Sequence, residues 1–140
     1  MRFARCARRA AVAAALLAFV AGCGGRGDVS GKVTYQGKNL VWGSVQFEGS
    51  DGMLKQANIK SDGTYAVQGV ATGEAKVAVS SLNPNSSDFQ PRVVEGKAPP
   101  PPRPKVEGWF PIPDKYDTPH KSGLVYTIKS GPNTIDIDLK

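Results

Sequence analysis

Apolar residues recur at every second position through most of this chain. Val29, Gly31, Val33 and Tyr35 alternate with Ser30, Lys32 and Thr34, and Val41, Gly43, Val45 and Phe47 alternate with Trp42, Ser44, Gln46 and Glu48. Successive side chains on a strand point to opposite faces, so each run predicts a strand with one buried face. Gln36-Gly37-Lys38 and Gly49-Ser50-Asp51-Gly52 supply turns. Leu54 to Lys60 reads as a further strand, with Ala57 and Ile59 inward, feeding a hairpin at Asp62-Gly63. The stretch Ser61 to Val79 organises the rest. Tyr65, Val67 and Gly69 form one inward set, Thr72-Gly73 breaks it, and Ala75, Val77 and Val79 form the next. Near the end, Leu124, Tyr126 and Ile128 alternate again. Gly131-Pro132-Asn133 then turns the chain into a strand from Ile135 to Lys140, whose Asp136 and Asp138 face outward and blunt edge-to-edge pairing.

Two segments break the pattern. Asn83 to Gly108 holds seven of the eleven prolines, including the run Pro99 to Pro102 followed by Arg103-Pro104. Proline cannot donate to a ladder and favours an extended polyproline II form. The segment therefore reads as a surface spacer crossing the domain. Pro99 and Pro102 would also suit a polyproline reader of the SH3 type, a less economical reading.

The other exception is the N-terminus. Arg2, Arg5, Arg8 and Arg9 precede an apolar run from Ala10 to Val20, about 11 residues and too short for a bilayer core that needs roughly 20. It ends in Val20-Ala21-Gly22-Cys23, which resembles the bacterial lipobox, in which the Cys takes a diacylglyceryl thioether before cleavage. This predicts a lipoprotein signal peptide at 1–22, a tether at 23–27 and a domain at 28–140 that carries the insert at 83–108. One acyl chain holds a protein weakly and two hold it firmly, at about 0.8 kcal/mol per buried methylene. No Asp follows Cys23 directly, which by analogy with the enterobacterial sorting rule points to the outer membrane. Arg8-Arg9 lacks the surroundings of a twin-arginine signal. Arg26-Gly27-Asp28 spells an adhesion tripeptide but reads as part of the tether.

The stretch SDGTYAVQGVATGEAKVAV, residues 61–79, resembles carboxypeptidase regulatory-like domains in its Asp-Gly turn, aromatic, Gly, and Gly-x-x-x-Val strand. Gly37-Lys38 and Ile112-Pro113-x-Lys115-Tyr116, then Ser122-Gly123-Leu124, are similar to segments of small bacterial lipoproteins of that family. Val41-Trp42 departs from it, because a small residue is commoner there. The resemblance implies a transthyretin-like β-sandwich without chemistry of its own. Hydroxyisourate hydrolases share that fold but use several histidines, an arginine and a Tyr-Arg-Gly-Ser tail. This chain has one histidine and ends Ile137-Asp138-Leu139-Lys140. Some related surface domains form a Lys–Asn isopeptide bond, but Lys32 has outward parity and Asn133 inward, so the two are not expected to meet.

Composition narrows the classes further. Of the 140 residues 16 are Gly, in keeping with an all-β chain of many turns. Removing the four N-terminal arginines leaves 14 Lys and Arg against 12 acids, so the formal +6 falls to +2. That residual charge is spread out, unlike the concentrated patch of a nucleic-acid binder. Cys6 and Cys23 both lie before the domain, which excludes a disulfide framework within it. His120, the only histidine, sits among Thr118, Pro119 and Lys121 and reads as surface, with no positioned nucleophile in the sequence around it. Asp51, Asp62, Asp136 and Asp138 form no Asp-x-Asp-x-Asp-Gly loop, so neither metal nor other cofactor is expected.

These readings converge on an all-β protein: one transthyretin-like or immunoglobulin-like β-sandwich of about seven strands, carried on lipid at Cys23. The function expected is non-enzymatic, a structural or adaptor module that binds another envelope component. The alternative is a carbohydrate-binding module using Trp42, Trp109 and Tyr116 as stacking platforms. Exposed, coplanar Trp42 and Trp109 would favour it, and burial would favour the adaptor. Trp42 itself is expected to plug the sandwich edge, since aromatics are more often buried than functional.

Overall fold

The computed structural model describes residues 25–86, 88, 93–99, 101, 103 and 105–140. The signal peptide, the lipobox with Cys23, and Arg92, Pro100, Pro102 and Pro104 of the insert lie outside the described residues. Strand β1 runs from Arg26 to Tyr35, turns at Gln36-Gly37, where φ is +48° and +79°, and pairs back as β2, Lys38–Asn39. There follow β3 (Ser44–Glu48), β4 (Leu54–Asn58), β5 (Thr64–Ala71) and β6 (Gly73–Ser80). Beyond the insert come a 3-10 turn at Asp114–Tyr116, the single-turn helix α1 (Pro119–Ser122), and β7 (Leu124–Ile128), β8 (Gly131–Thr134) and β9 (Ile137–Leu139).

The strands form two sheets. In one, β1 is central, antiparallel to β2 and β5 and parallel to β8 and β9. In the other, the order is β4-β3-β6-β7, antiparallel throughout. The chain is thus an all-β sandwich, as the alternation predicts. Its connectivity differs from the expected hairpins. The Asp62-Gly63 turn does form, with Gly63 N donating to Lys60 O at 2.9 Å, but β4 pairs with β3 and β5 with β1. The next turn, at Thr72, likewise carries the chain from β5 to β6 in the opposite sheet. Residues 61–79 therefore join the two sheets at both poles and form no hairpin of their own.

Three boundaries also move. Arg26 and Gly27, expected in the tether, belong to β1 and pair with Ala71 and Val70. Gly131-Pro132-Asn133 is not a turn but the start of β8, alongside Gly27 to Val29. The final strand is broken at Ile135-Asp136, so nine strands are present among the described residues where about seven were expected. The break is held, not frayed: Ile135 N donates to Ser30 O (2.8 Å), and Lys32 N donates to Asp136 Oδ1 (2.9 Å). Gly31 makes this possible. A Cβ there would lie 1.9 Å from the Ile135 carbonyl oxygen, so only glycine admits the bend.

Inward parity holds for Val29, Val33, Val45, Phe47, Tyr65, Val67, Ala75, Val77 and Val79, all buried. Gly69 was expected to continue the inward set of β5. Instead it takes φ +68° in a β-bulge opposite Asp28, and Val70 turns into the core in its place. At the centre, Phe47 and Tyr65 stack across the sheets, with centroids 6.0 Å apart, and Tyr65 Oη donates to Ile135 O at 2.6 Å. The segment from Phe110 to Ser122 closes one open side. Phe110 stacks on Tyr35, and Ser122 Oγ donates to Val77 O. Tyr116 is buried, its hydroxyl donating to Lys140 O (2.6 Å) and accepting from Lys140 N (3.0 Å).

Candidate functional site

The ends of the sandwich have different characters. β1 begins at one pole, where the turns Gly49–Met53 and Thr72 also lie. The other pole collects the starts of β3 and β5, the ends of β4 and β6, and both ends of the insert. It carries a groove of ≈ 240 Å³ lined by Trp42, Gly43, Ser44, Gln56, Asn58, Ile59, Ser80 and Leu82.

Strand register builds this groove. Ser44 lies opposite Asn58 on one side and Ser80 on the other, which sets a row of three small polar residues across β4, β3 and β6. Gln56 stands on the next outward row, its Oε1 accepting from Gln46 Nε2 at 3.4 Å. Gly43, with φ +138°, lets the chain pass close to Ser80: a Cβ there would meet Ser80 O at 2.3 Å. Its carbonyl accepts from Ile59 N at 2.9 Å. Residue 42 is thereby held outside the ladder, and Trp42 is 39% exposed. It does not plug the sandwich edge. Its neutral wall of indole, amides and hydroxyls can stack on and hydrogen-bond to an uncharged polar ligand.

Trp109 is half-buried beside this pole. Its Nε1 donates to Ser81 O (3.2 Å) and Ser81 Oγ (3.0 Å), and Ser81 Oγ in turn donates to Trp42 O at 2.8 Å. Ser81 thus ties the two tryptophans into one corner, but Trp109 serves as a brace and does not line the groove. Tyr116 is a correction. Its ring lies in the core cluster and its hydroxyl is spent on the Lys140 backbone, so it offers no platform.

The lining residues Ser44, Gln56, Asn58, Ser80 and Leu82 carry no motif in the sequence. Alternation turns Ser44, Gln56 and Asn58 outward, but no local pattern brings them together, because the row depends on strand register. The insert is clasped where it leaves the domain. Asn85 Nδ2 donates to Val106 O (3.1 Å), and Val106 N donates to Asn85 Oδ1 (2.9 Å).

The other candidate residues are apart from this groove. His120 is exposed on α1, its Nε2 3.2 Å from Glu48 Oε2 and its Nδ1 3.1 Å from Lys76 Nζ. An ammonium donating to Nδ1 leaves the ring proton on Nε2, facing Glu48, so His120 bridges two surface charges. Asp51 accepts from Met53 N and Asp138 from Thr34 Oγ1, both at 3.0 Å. Asp62 accepts from Thr64 Oγ1 (2.6 Å) and Thr64 N (3.0 Å), and these bonds hold its carboxyl below the usual carboxylate value. Among the described residues no group of three or more His, Cys, Asp or Glu lies together as metal ligands would. The Asn133 amide closes the β7–β8 turn, accepting from Lys129 N and donating to Lys129 O.

Compared with protein-family models, curated proteins and solved structures, the chain matches none.

Proposed function

We propose that this chain is a non-enzymatic envelope lipoprotein: a β-sandwich carried on acyl chains at Cys23, in the outer membrane, that binds another envelope component at its far pole. One observation carries the reading. The start of β1, three residues from Cys23, and the Trp42 groove stand at opposite ends of the sheets. The strand joining those ends, β6, spans Gly73–Ser80, or roughly 23 Å at about 3.3 Å per residue. A domain tethered at its base and open at its tip is suited to reach a partner away from the membrane. The two-sheet arrangement around a central β1 is compatible with the transthyretin-like sandwich of carboxypeptidase regulatory-like domains, and we adopt that family as part of the proposal.

A second reading is favoured by the lining itself. Trp42 is exposed beside Ser44, Gln56, Asn58 and Ser80, none of them charged, which suits a neutral carbohydrate. Cys23→Ser tests the anchor by metabolic labelling with a fatty acid, and label retained by the Ser variant refutes it. A photocrosslinking residue at Leu82, introduced in the organism's own envelope, tests the tip. Capture of an envelope protein supports the adaptor. Capture of polysaccharide, lost with Trp42→Ala, supports the carbohydrate reading.

A further inference from the structure

The pole where β1 begins carries an exposed apolar pair that neither the groove nor the core uses. The turn after β3 packs directly on the start of β1. Ser50 Oγ donates to Thr72 O (2.6 Å), Thr72 N donates to Gly25 O (3.0 Å), and Asp51 faces Arg26 at 4.0 Å. The end of that turn and the first residue of β4 expose Met53 and Leu54 to solvent, 51% and 59%. Nearby charges cancel: Arg26 and Lys129 are matched by Asp51 and Glu74, all exposed. Only Gly24 and Gly25 separate Cys23 from Arg26, a reach of about 11 Å even when fully extended. Acyl chains on Cys23 would therefore hold this pole at the bilayer surface, with two exposed large apolar side chains within its reach.

We propose that this pole is a membrane-seating surface: Met53 and Leu54 enter the headgroup region of the bilayer that holds Cys23, which stands the sandwich upright with the Trp42 groove turned away. The inference rests on the anchor reading. Because the local charges cancel, the seat is apolar and persists at high salt, where attraction between exposed charges is screened.

The chain's two cysteines are Cys6, in the segment removed, and Cys23, acylated, so an introduced cysteine is the sole free thiol of the mature protein. Met53→Cys and Leu82→Cys, expressed as full chains with their own signal, are purified, labelled with bimane and reconstituted into vesicles of brominated phosphatidylcholine. The expected result is loss of emission at position 53, the same in low and high salt, with emission at position 82 unchanged. Leu54→Cys repeats the reading from the neighbouring side chain. Acylated protein that floats with the vesicles but is unquenched at 53 and 54, or equally quenched at 82, overturns the seat and leaves the anchor standing. A mature protein without acyl mass overturns both.

Discussion

Replacing Gly31 by alanine should be far more damaging than its place on a strand suggests. An added Cβ would sit 1.9 Å from Ile135 O and 2.6 Å from Ile135 C, so the chain must part there by about 1.5 Å to restore ordinary contact, which begins near 3.4 Å. The Ile135 carbonyl is not free to retreat. It accepts from Tyr65 Oη, its own N–H is bonded to Ser30 O, and the next residue holds Lys32 N. Weakening the two neutral bonds costs about 0.5–1.5 kcal/mol each, and the carboxylate bond about 1.5–3. Overpacking adds roughly 1–3 kcal/mol. Against this, alanine is better than glycine in a strand by roughly 0.5–1 kcal/mol. Because the bonds are weakened and not lost, the lower end of each cost applies, and a net loss of about 2.5–3 kcal/mol follows, a large share of the roughly 5–15 a domain has. Urea melts of the chain from Gly25 to Lys140 should show the midpoint falling by about 1–2 M at slopes of about 1–3 kcal/mol/M. Gly37→Ala is the control. Gly37 has φ +79° but open space around it, so only the left-handed backbone penalty of about 1–2 kcal/mol applies. If Gly31→Ala shifts the midpoint no more than Gly37→Ala, the carbonyl does not occupy the space the glycine leaves.

Tyr65→Ala removes a ring that is 2% exposed and stacked on Phe47, and should cost about 3–5 kcal/mol; Thr64→Ala, which loses only the hydroxyl bond to Asp62 and keeps the backbone one, should cost about 1, and equal small shifts in urea would show the register is wrong. Burial, then the nearby Tyr126 and Asp136, raise the Tyr65 hydroxyl above its ordinary 10.0. The unfolded chain therefore gives up this proton first. The stability it contributes is present below pH 10 and withdrawn above it, and Tyr65→Phe should make the alkaline fall in urea midpoint shallower, whereas an unchanged profile would count against that assignment. Trypsin should cut first in the insert, at exposed Lys97 or at Arg92; protection there while Lys38 or Lys129 is nicked would mean the insert is packed down.

Strand faces were legible in the sequence because each strand turns one face to a single core: Val45 and Phe47, or Ala75, Val77 and Val79, declare it by alternation alone. Which strands pair was not. A tight turn such as Asp62-Gly63 has the same local chemistry whether it closes a hairpin or arches between sheets, and the choice rests on partners far along the chain. The bulge at Gly69 was hidden for a related reason, since its amide is held by Asp28 Oδ1 from another strand. Trp42 has the outward parity expected of it. Its exposure depends on Gly43 skirting Ser80, a contact that no local pattern encodes. Tyr116 lies outside any alternating run, and its burial follows from a backbone partner at Lys140, at the other end of the C-terminal segment.

The clasp between Asn85 and Val106 has a consequence for how this protein can change. One side chain there does the work of a strand partner, offering an acceptor and a donor to a single backbone unit. The two ends of the insert are thereby pinned together before the chain reaches the Trp42 corner. Even doubling its length would add only about 0.6 kcal/mol of closure entropy. The segment is a natural splice point, where sequence can be lengthened, shortened or exchanged for a foreign peptide while the sandwich beneath keeps its shape.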